Sequence, residues 1–154
     1  MPRSRLLLCV AYGAVALLAL VATWNQNLSY FRPEEGWLAG FALATGRFWP
    51  ATLATPASVS ITVDIGLFAL AAAALMIIEA RRLDIRFAWL YVVFGLLVAI
   101  SVTFPLFLIA RERRLVARGE VSDDLGFNRG DAIGLAVLAA GCAVFSLWTI
   151  ARGS

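Results

Sequence analysis

One carboxylate, Asp64, lies inside a long apolar run of the chain. An ionised carboxylate at the centre of a bilayer costs about 2.5–3.5 kcal/mol on insertion scales, so such a residue usually faces protein or water. If this run pairs with the next one as antiparallel helices, position 64 lies level with Ser101 and Thr103. Arg111 follows about two helical turns later. These four residues form the candidate polar site.

Two interpretations of Asp64 stay open. It is either a structural latch, hydrogen-bonded to the next run or paired with Arg111, or a proton or ligand site beneath the long connection over residues 25–58. A lone carboxylate without a second ionisable group rarely suffices for catalysis, and the chain contains no His. An intramembrane enzyme would need a second ionisable group within reach of Asp64. We therefore predict no catalytic residue, metal site, cofactor or enzymatic activity. Glu79, beside Arg81 and Arg82, is expected to form an interfacial salt bridge.

The elements that position Asp64 follow from composition. Apolar residues make up 62% of the 154 positions and charged residues 15%, whereas soluble domains average about 45–50% and about 25%. Four apolar runs have the length of about 20 residues that a membrane-spanning helix needs. We predict an all-α membrane protein, one integral domain over 1–154, with four transmembrane helices in an antiparallel bundle. The spans are about 6–24, 59–79, 87–110 and 132–150.

The connection between the first two spans is predicted to contain a short helix over about 33–46. Pro33 with Glu34 and Glu35 is typical of a helix start, because proline suits the first turn and acids face the positive end of the helix dipole. The segment is too short to span a bilayer. It is either an interfacial helix that covers the mouth of the bundle or a re-entrant element.

The fourth run carries small residues at intervals that allow two membrane helices to approach closely. This stripe packs either inside the bundle or against another protein, including a second copy of the chain. Its members are Gly130, Gly134, Ala136, Ala140 and Gly141.

Arginine supplies all 13 basic residues, and the arginines sit at the ends of the runs. That placement indicates headgroup and topology anchors rather than nucleic-acid binding. Alternating spans place the N-terminus, residues 80–86 and the C-terminus on one side, with residues 25–58 and 111–130 on the other. The two sides carry similar numbers of arginines. Because the first helix usually dominates, we predict that both termini are cytoplasmic.

The stretch Pro56–Leu115 resembles a bacterial membrane-protein family catalogued as domain of unknown function 2834, which implies no activity. The chain departs from the family in Thr55, where asparagine is expected, and in its fourth helix. The residues that carry the resemblance are Pro56, Asp64, Glu79-Ala80-Arg81-Arg82-Leu83, Trp89-Leu90-Tyr91-Val92, Gly95-Leu96, Pro105-Leu106-Phe107-Leu108 and Arg111-Glu112-Arg113.

Together with this resemblance, which implies a bacterial inner membrane, these observations predict a small polytopic protein that acts through contacts with the bilayer and with a membrane-protein partner. We expect an accessory subunit of a multi-subunit envelope assembly for transport or lipid handling. The alternative is a small transporter or ligand-binding membrane protein that uses Asp64.

Overall fold

The computed structural model describes residues 1–122 and 124–152, and every regular element in this part of the chain is helical. Two single 3₁₀ turns, Leu28–Tyr30 and Pro33–Glu35, separate the first two α-helices, and a π-helical turn, Gly95–Ala99, separates the fourth from the fifth. The α-helices are α1 (Arg3–Asn27), α2 (Trp37–Thr52), α3 (Pro56–Arg82), α4 (Ala88–Phe94), α5 (Ile100–Ala117) and α6 (Arg129–Arg152).

Four helical stretches are long and apolar enough to cross a bilayer, which confirms the predicted number. Each contains a predicted span and extends it by a few residues, except that the third begins one residue later. The stretches are Arg3–Tyr30, Pro56–Arg82, Ala88–Ala117 and Arg129–Arg152.

The third stretch, however, folds back on itself. The rings of Tyr91 and Phe107 pack edge to face with centroids 5.6 Å apart. In one straight helix, 16 residues would separate them by about 24 Å along the axis. The prediction of a single crossing over 87–110 was therefore wrong. This segment forms a helical hairpin, with α4 as one arm and the first part of α5 as the other.

Local chemistry allows the reversal. Ala99 has an extended backbone (φ −179°, ψ 137°), which separates the two arms. Gly95 lies so close to the opposite arm that a Cβ atom there would be 2.8 Å from the Thr103 hydroxyl oxygen. Pro105 has no N–H to donate to the Ser101 carbonyl, which weakens the start of α5 as a continuous helix. Uniform apolar composition hides this break, because both arms are as apolar as a straight span.

The hairpin packs against the end of α3 and forms the core. Met76 and Phe107 are fully buried, and they contact Ala80 and Val92. Nearer the other end of α3, the Phe68 and Phe104 rings meet edge to face. Large buried side chains are thus concentrated where three helices converge.

Side-chain contacts show which helix ends lie together. Arg5 donates to the Ser122 carbonyl, so the N-terminus lies beside the α5–α6 connection. At the other end, Gln26 donates to the Thr149 carbonyl at 3.2 Å. Helices α1 and α6 therefore run in the same direction. The predicted bundle topology was wrong in this respect, because the termini lie at opposite ends of the molecule. The hairpin reverses the direction of the chain once more than a single crossing would.

We name the two ends by composition. The arginine end holds the N-terminus, the α3–α4 turn and the α5–α6 connection. The aromatic end holds residues 28–55 and the C-terminal end of α6.

Helix α2 differs from the predicted helix over 33–46. Pro33–Glu35 forms only a 3₁₀ turn, and Gly36 then takes a positive φ of 77°, which breaks the helical path. The helix begins at Trp37 and continues to Thr52, with Pro50 in its last turn. Pro50 has no N–H to donate to the Gly46 carbonyl, so the helix loses one hydrogen bond there and ends two residues after the proline.

Candidate functional site

Asp64 lies about two turns into α3 and is exposed on the side of the helix. Among residues 1–122 and 124–152 it has no hydrogen bond and no ion pair. The contacts that the latch interpretation requires are not formed within the chain. Trp37 and Trp49, on the connection before α3, are also exposed.

The two hydroxyls predicted to face Asp64 point elsewhere. Ser101 is exposed and lines a groove between α1 and α6, together with Thr23 and Gln26. Thr103 is buried against Gly95 inside the hairpin, and its hydroxyl has no hydrogen-bond partner in the structure. Ser101 and Thr103 lie at about the expected level along the bundle axis. Because α5 runs parallel to α3 rather than antiparallel, however, their side chains point to other sides of the helix than predicted.

Arg111 belongs instead to a charge network at the arginine end. Its Nε atom lies 2.6 Å from Glu79 Oε2, and its Nη1 atom lies 3.0 Å from Glu112 Oε1. Arg5 Nη1 lies 2.9 Å from the other oxygen of Glu112. Arg82 completes the network at 2.9 Å from Glu79. The network thus joins α1, α3 and α5, and it includes the salt bridge predicted for Glu79.

Glu112 is the most deeply buried charge in this network, with 3% of its side chain exposed. Burying a carboxylate is costly unless strong partners replace water. Two guanidinium groups, from Arg5 and Arg111, donate to its two oxygens, and such charge-assisted hydrogen bonds are the stronger kind. Glu112 therefore holds the start of α1 to the end of the hairpin.

Arg5 and Glu112 were not predicted as members of a polar site, although one signal was available for Glu112. Glu112 lies seven residues after Pro105 and three before Leu115, both of which are buried on the same face of α5. An acid on the apolar face of a helix predicts a buried partner. The three arginines that surround Glu112, at positions 111, 113 and 114, obscure this signal because they are typical of a solvated helix end.

A family profile described as protein of unknown function DUF2834 matches residues 11–113. The chain belongs to the DUF2834 family. This confirms the resemblance noted over Pro56–Leu115 and extends it into α1. Comparisons with curated proteins and with solved structures gave no match.

The DUF2834 match includes the hairpin and Glu112 but ends before α6. No residue of α6 is buried in the structure. Its half-buried residues, Ala143, Ser146, Thr149 and Ile150, mark the side that faces α1. The part of the chain outside the family match is thus also the part with the least internal packing.

The predicted small-residue stripe divides into two sides on a helical wheel of 3.6 residues per turn. Gly130, Gly134 and Gly141 fall within about 40° of one another, on roughly the opposite side from the residues that face α1. A Cβ atom added at Gly134 or Gly141 would meet nothing within 4 Å. Ala136 and Ala140 lie nearer the α1-facing side, although they too are exposed.

At the aromatic end, the connection between α1 and α3 is tied to the bundle. Arg47 makes a double ion pair with Glu35, and this hydrogen bonding holds the pKa of the Glu35 carboxyl below its ordinary value. The Thr62 hydroxyl donates to the Thr52 carbonyl at 3.2 Å, joining α3 to α2. These contacts hold the segment together and attach α2 to the start of α3.

Proposed function

We propose that this DUF2834 protein is a small, non-enzymatic, multi-pass protein of a bacterial inner membrane. It acts as an accessory subunit of an envelope assembly concerned with transport or lipid handling, and α6 is the helix that docks to the partner. The observation that carries the proposal is the glycine face of α6, which has no partner within the described chain.

Glycine on a lipid-facing position has no packing advantage, and it lowers helix stability in water by about 1 kcal/mol relative to alanine. Between membrane helices it has a clear use, because small residues allow backbones to approach closely. Gly134 and Gly141, two turns apart on one face, therefore favour a partner helix on that face.

The uncovered carboxylate of Asp64 supports the same function. Ionisable residues inside membrane spans nearly always face protein or water, since lipid leaves their charge unsolvated. Asp64 has no partner in the described chain and is exposed on the side of α3. This placement favours a donor from a partner protein over the transporter alternative.

The distribution of arginines supports one orientation. Ten of the 13 arginines lie at the arginine end and three at the aromatic end. Since positively charged loops remain cytoplasmic, we place the N-terminus in the cytoplasm and the C-terminus on the opposite side of the membrane. The ten are Arg3, Arg5, Arg81, Arg82, Arg86, Arg111, Arg113, Arg114, Arg118 and Arg129, and the three are Arg32, Arg47 and Arg152.

Reporter fusions at each terminus test this orientation. A reporter that is active only in the cytoplasm should function at the N-terminus, and one that is active only outside it should function at the C-terminus. If both termini report the same side, the hairpin does not exist in the membrane and the single-crossing prediction returns.

The docking proposal is tested by purification of the tagged chain in mild detergent at native expression level, with mass spectrometry of its partners. Gly134→Leu with Gly141→Leu should remove a stoichiometric partner. Ala140→Leu is the matched control, because it adds bulk to an exposed position on another side of α6. Loss of the partner in neither variant, or in both, would reject the glycine face. Absence of any stoichiometric partner from the wild-type chain would reject the accessory function.

A further inference from the structure

A groove of about 580 Å³ at the arginine end is lined by residues that the proposed function does not use. Arg81, Arg86 and Trp89 are among the residues that line it. Ile77 and Ala88 contribute an apolar part of the lining. The groove thus combines cationic and apolar surface at the point where α3 and α4 leave the predicted membrane region.

The α3–α4 turn that carries this groove is held in one conformation. Asp84 takes a positive φ of 51°, and the Ile85 N–H donates to the Ala80 carbonyl at 2.8 Å, which closes the end of α3. Arg118 then donates to both the Arg82 carbonyl and the Asp84 carboxylate. Because Arg118 compensates Asp84, the acid in the groove lining does not cancel its arginines.

Arg81 and Arg86 themselves have no partner in the part of the chain that the structure describes, and both are exposed. Two guanidinium groups five residues apart therefore present ten N–H donors to one groove without an internal acceptor. Other arginines at this end, such as Arg5 and Arg111, are occupied by Glu112 and Glu79.

We propose that this groove binds the phosphate of an anionic phospholipid, such as phosphatidylglycerol. The planar guanidinium groups of Arg81 and Arg86 match phosphate oxygens in two-pronged hydrogen bonds. Trp89 suits the headgroup level of a bilayer, where amphipathic rings are enriched. Basic pockets between transmembrane helices on the cytoplasmic side have the properties that anionic headgroups require.

The apolar part of the lining favours a lipid over free phosphate. Ile77 and Ala88 offer no hydrogen bond to an inorganic ion, whereas they can contact the glycerol and the first methylene groups of a lipid. Ile77 also lies within the stretch of α3 that is long and apolar enough to cross a bilayer. A phospholipid whose phosphate is held by Arg81 and Arg86 would therefore have its acyl chains beside α3.

Lipid titration of the full-length chain in detergent tests the proposal, with native mass spectrometry to count bound molecules. The wild-type chain should bind phosphatidylglycerol more tightly than phosphatidylcholine. Arg81→Gln with Arg86→Gln should reduce that affinity at least tenfold, because each arginine near an anionic lipid contributes about a fivefold factor. Arg113→Gln with Arg114→Gln is the matched control, since it removes the same charge at the same end, outside the groove.

Equal losses in the two double variants would overturn the proposal, because they would indicate a diffuse attraction of the whole end. Competition by inorganic phosphate at the lipid's own concentration would also overturn it in favour of a free-anion site. If the first double variant does not purify as a folded species, the single variant Arg86→Gln in the exposed turn carries the same test. It should lose about fivefold, and an unchanged affinity would reject the site.

Discussion

The hairpin and α6 have similar apolar compositions and opposite environments. In the hairpin, Phe107 is fully buried and contacts both α3 and α4. In α6, the similarly sized Phe145 is 64% exposed. The comparison teaches that hydropathy measures whether a segment tolerates a membrane, and not what it packs against. Lipid and protein are equally apolar surroundings for a phenylalanine.

The family match follows the same division. It covers residues 11–113, which include the packed hairpin and most of α1, and it stops before α6. The packed region therefore lies largely within the family match, and α6 lies outside it. The predictions below compare paired positions in the two regions.

The largest contrast is expected between the two phenylalanines. Phe107→Ala should lower the free energy of unfolding by about 3 kcal/mol, because it opens a cavity where three helices meet. Phe145→Ala should change it by under about 0.5 kcal/mol, since most of that side chain lies outside any internal contact. Unfolding in mixed detergent, followed by circular dichroism, measures both. Similar losses would show that α6 is packed as tightly as the hairpin.

The charge network should give the next largest effect. Glu112→Gln removes the charge that Arg5 and Arg111 share and should cost about 2 kcal/mol, less than a fully buried pair because both arginines retain some access to water. Glu120→Gln is the control, because this exposed acid makes only a long ion pair with Arg118. The same unfolding measurement applies. If the two variants are equally stable, Glu112 does not hold α1 to the hairpin.

Two glycines compare the hairpin with the open face of α6. Gly95→Ala places a Cβ atom 2.8 Å from the Thr103 hydroxyl oxygen, so we expect a loss of about 1–2 kcal/mol. Gly134→Ala meets nothing in the isolated chain and should be neutral or slightly stabilising. Combining Gly95→Ala with Thr103→Ala should recover part of the loss. A neutral Gly95→Ala would show that the arms are less closely packed.

The smallest effect is a dependence on pH at the aromatic end. Arg47 lowers the pKa of Glu35, so this pair stabilises the folded connection above the ordinary carboxyl pKa of 4.5 and is lost as the pH falls through the lowered value. Tryptophan fluorescence should report local opening below that pH, before the hairpin unfolds. Glu35→Gln should show the open signal at neutral pH, whereas Glu34→Gln should behave as wild type. A fluorescence change that does not depend on Glu35 would show that the Glu35–Arg47 ion pair is not its cause.

Several features follow from the sequence alone. The membrane environment, the number of long apolar stretches and the family resemblance depend on composition and local motifs, such as Glu79 beside Arg81 and Arg82. A helix between the first two long stretches was also predicted, although it lies a few residues later because Gly36 interrupts the path. These features survive because each depends on residues close together in the chain.

Only the tertiary structure decided the path of residues 88–117 and, through it, the ends of the molecule at which the termini lie. A hairpin and a straight span bury the same residues in an apolar medium, so no periodicity separates them. The choice depends on contacts across many residues, such as Tyr91 with Phe107, and on a close approach at Gly95. Because of the same reversal, Arg111 pairs with Glu79 rather than with Asp64. Which residues of two helices meet depends on the direction of each helix and on the face it presents, and neither can be read from a linear pattern.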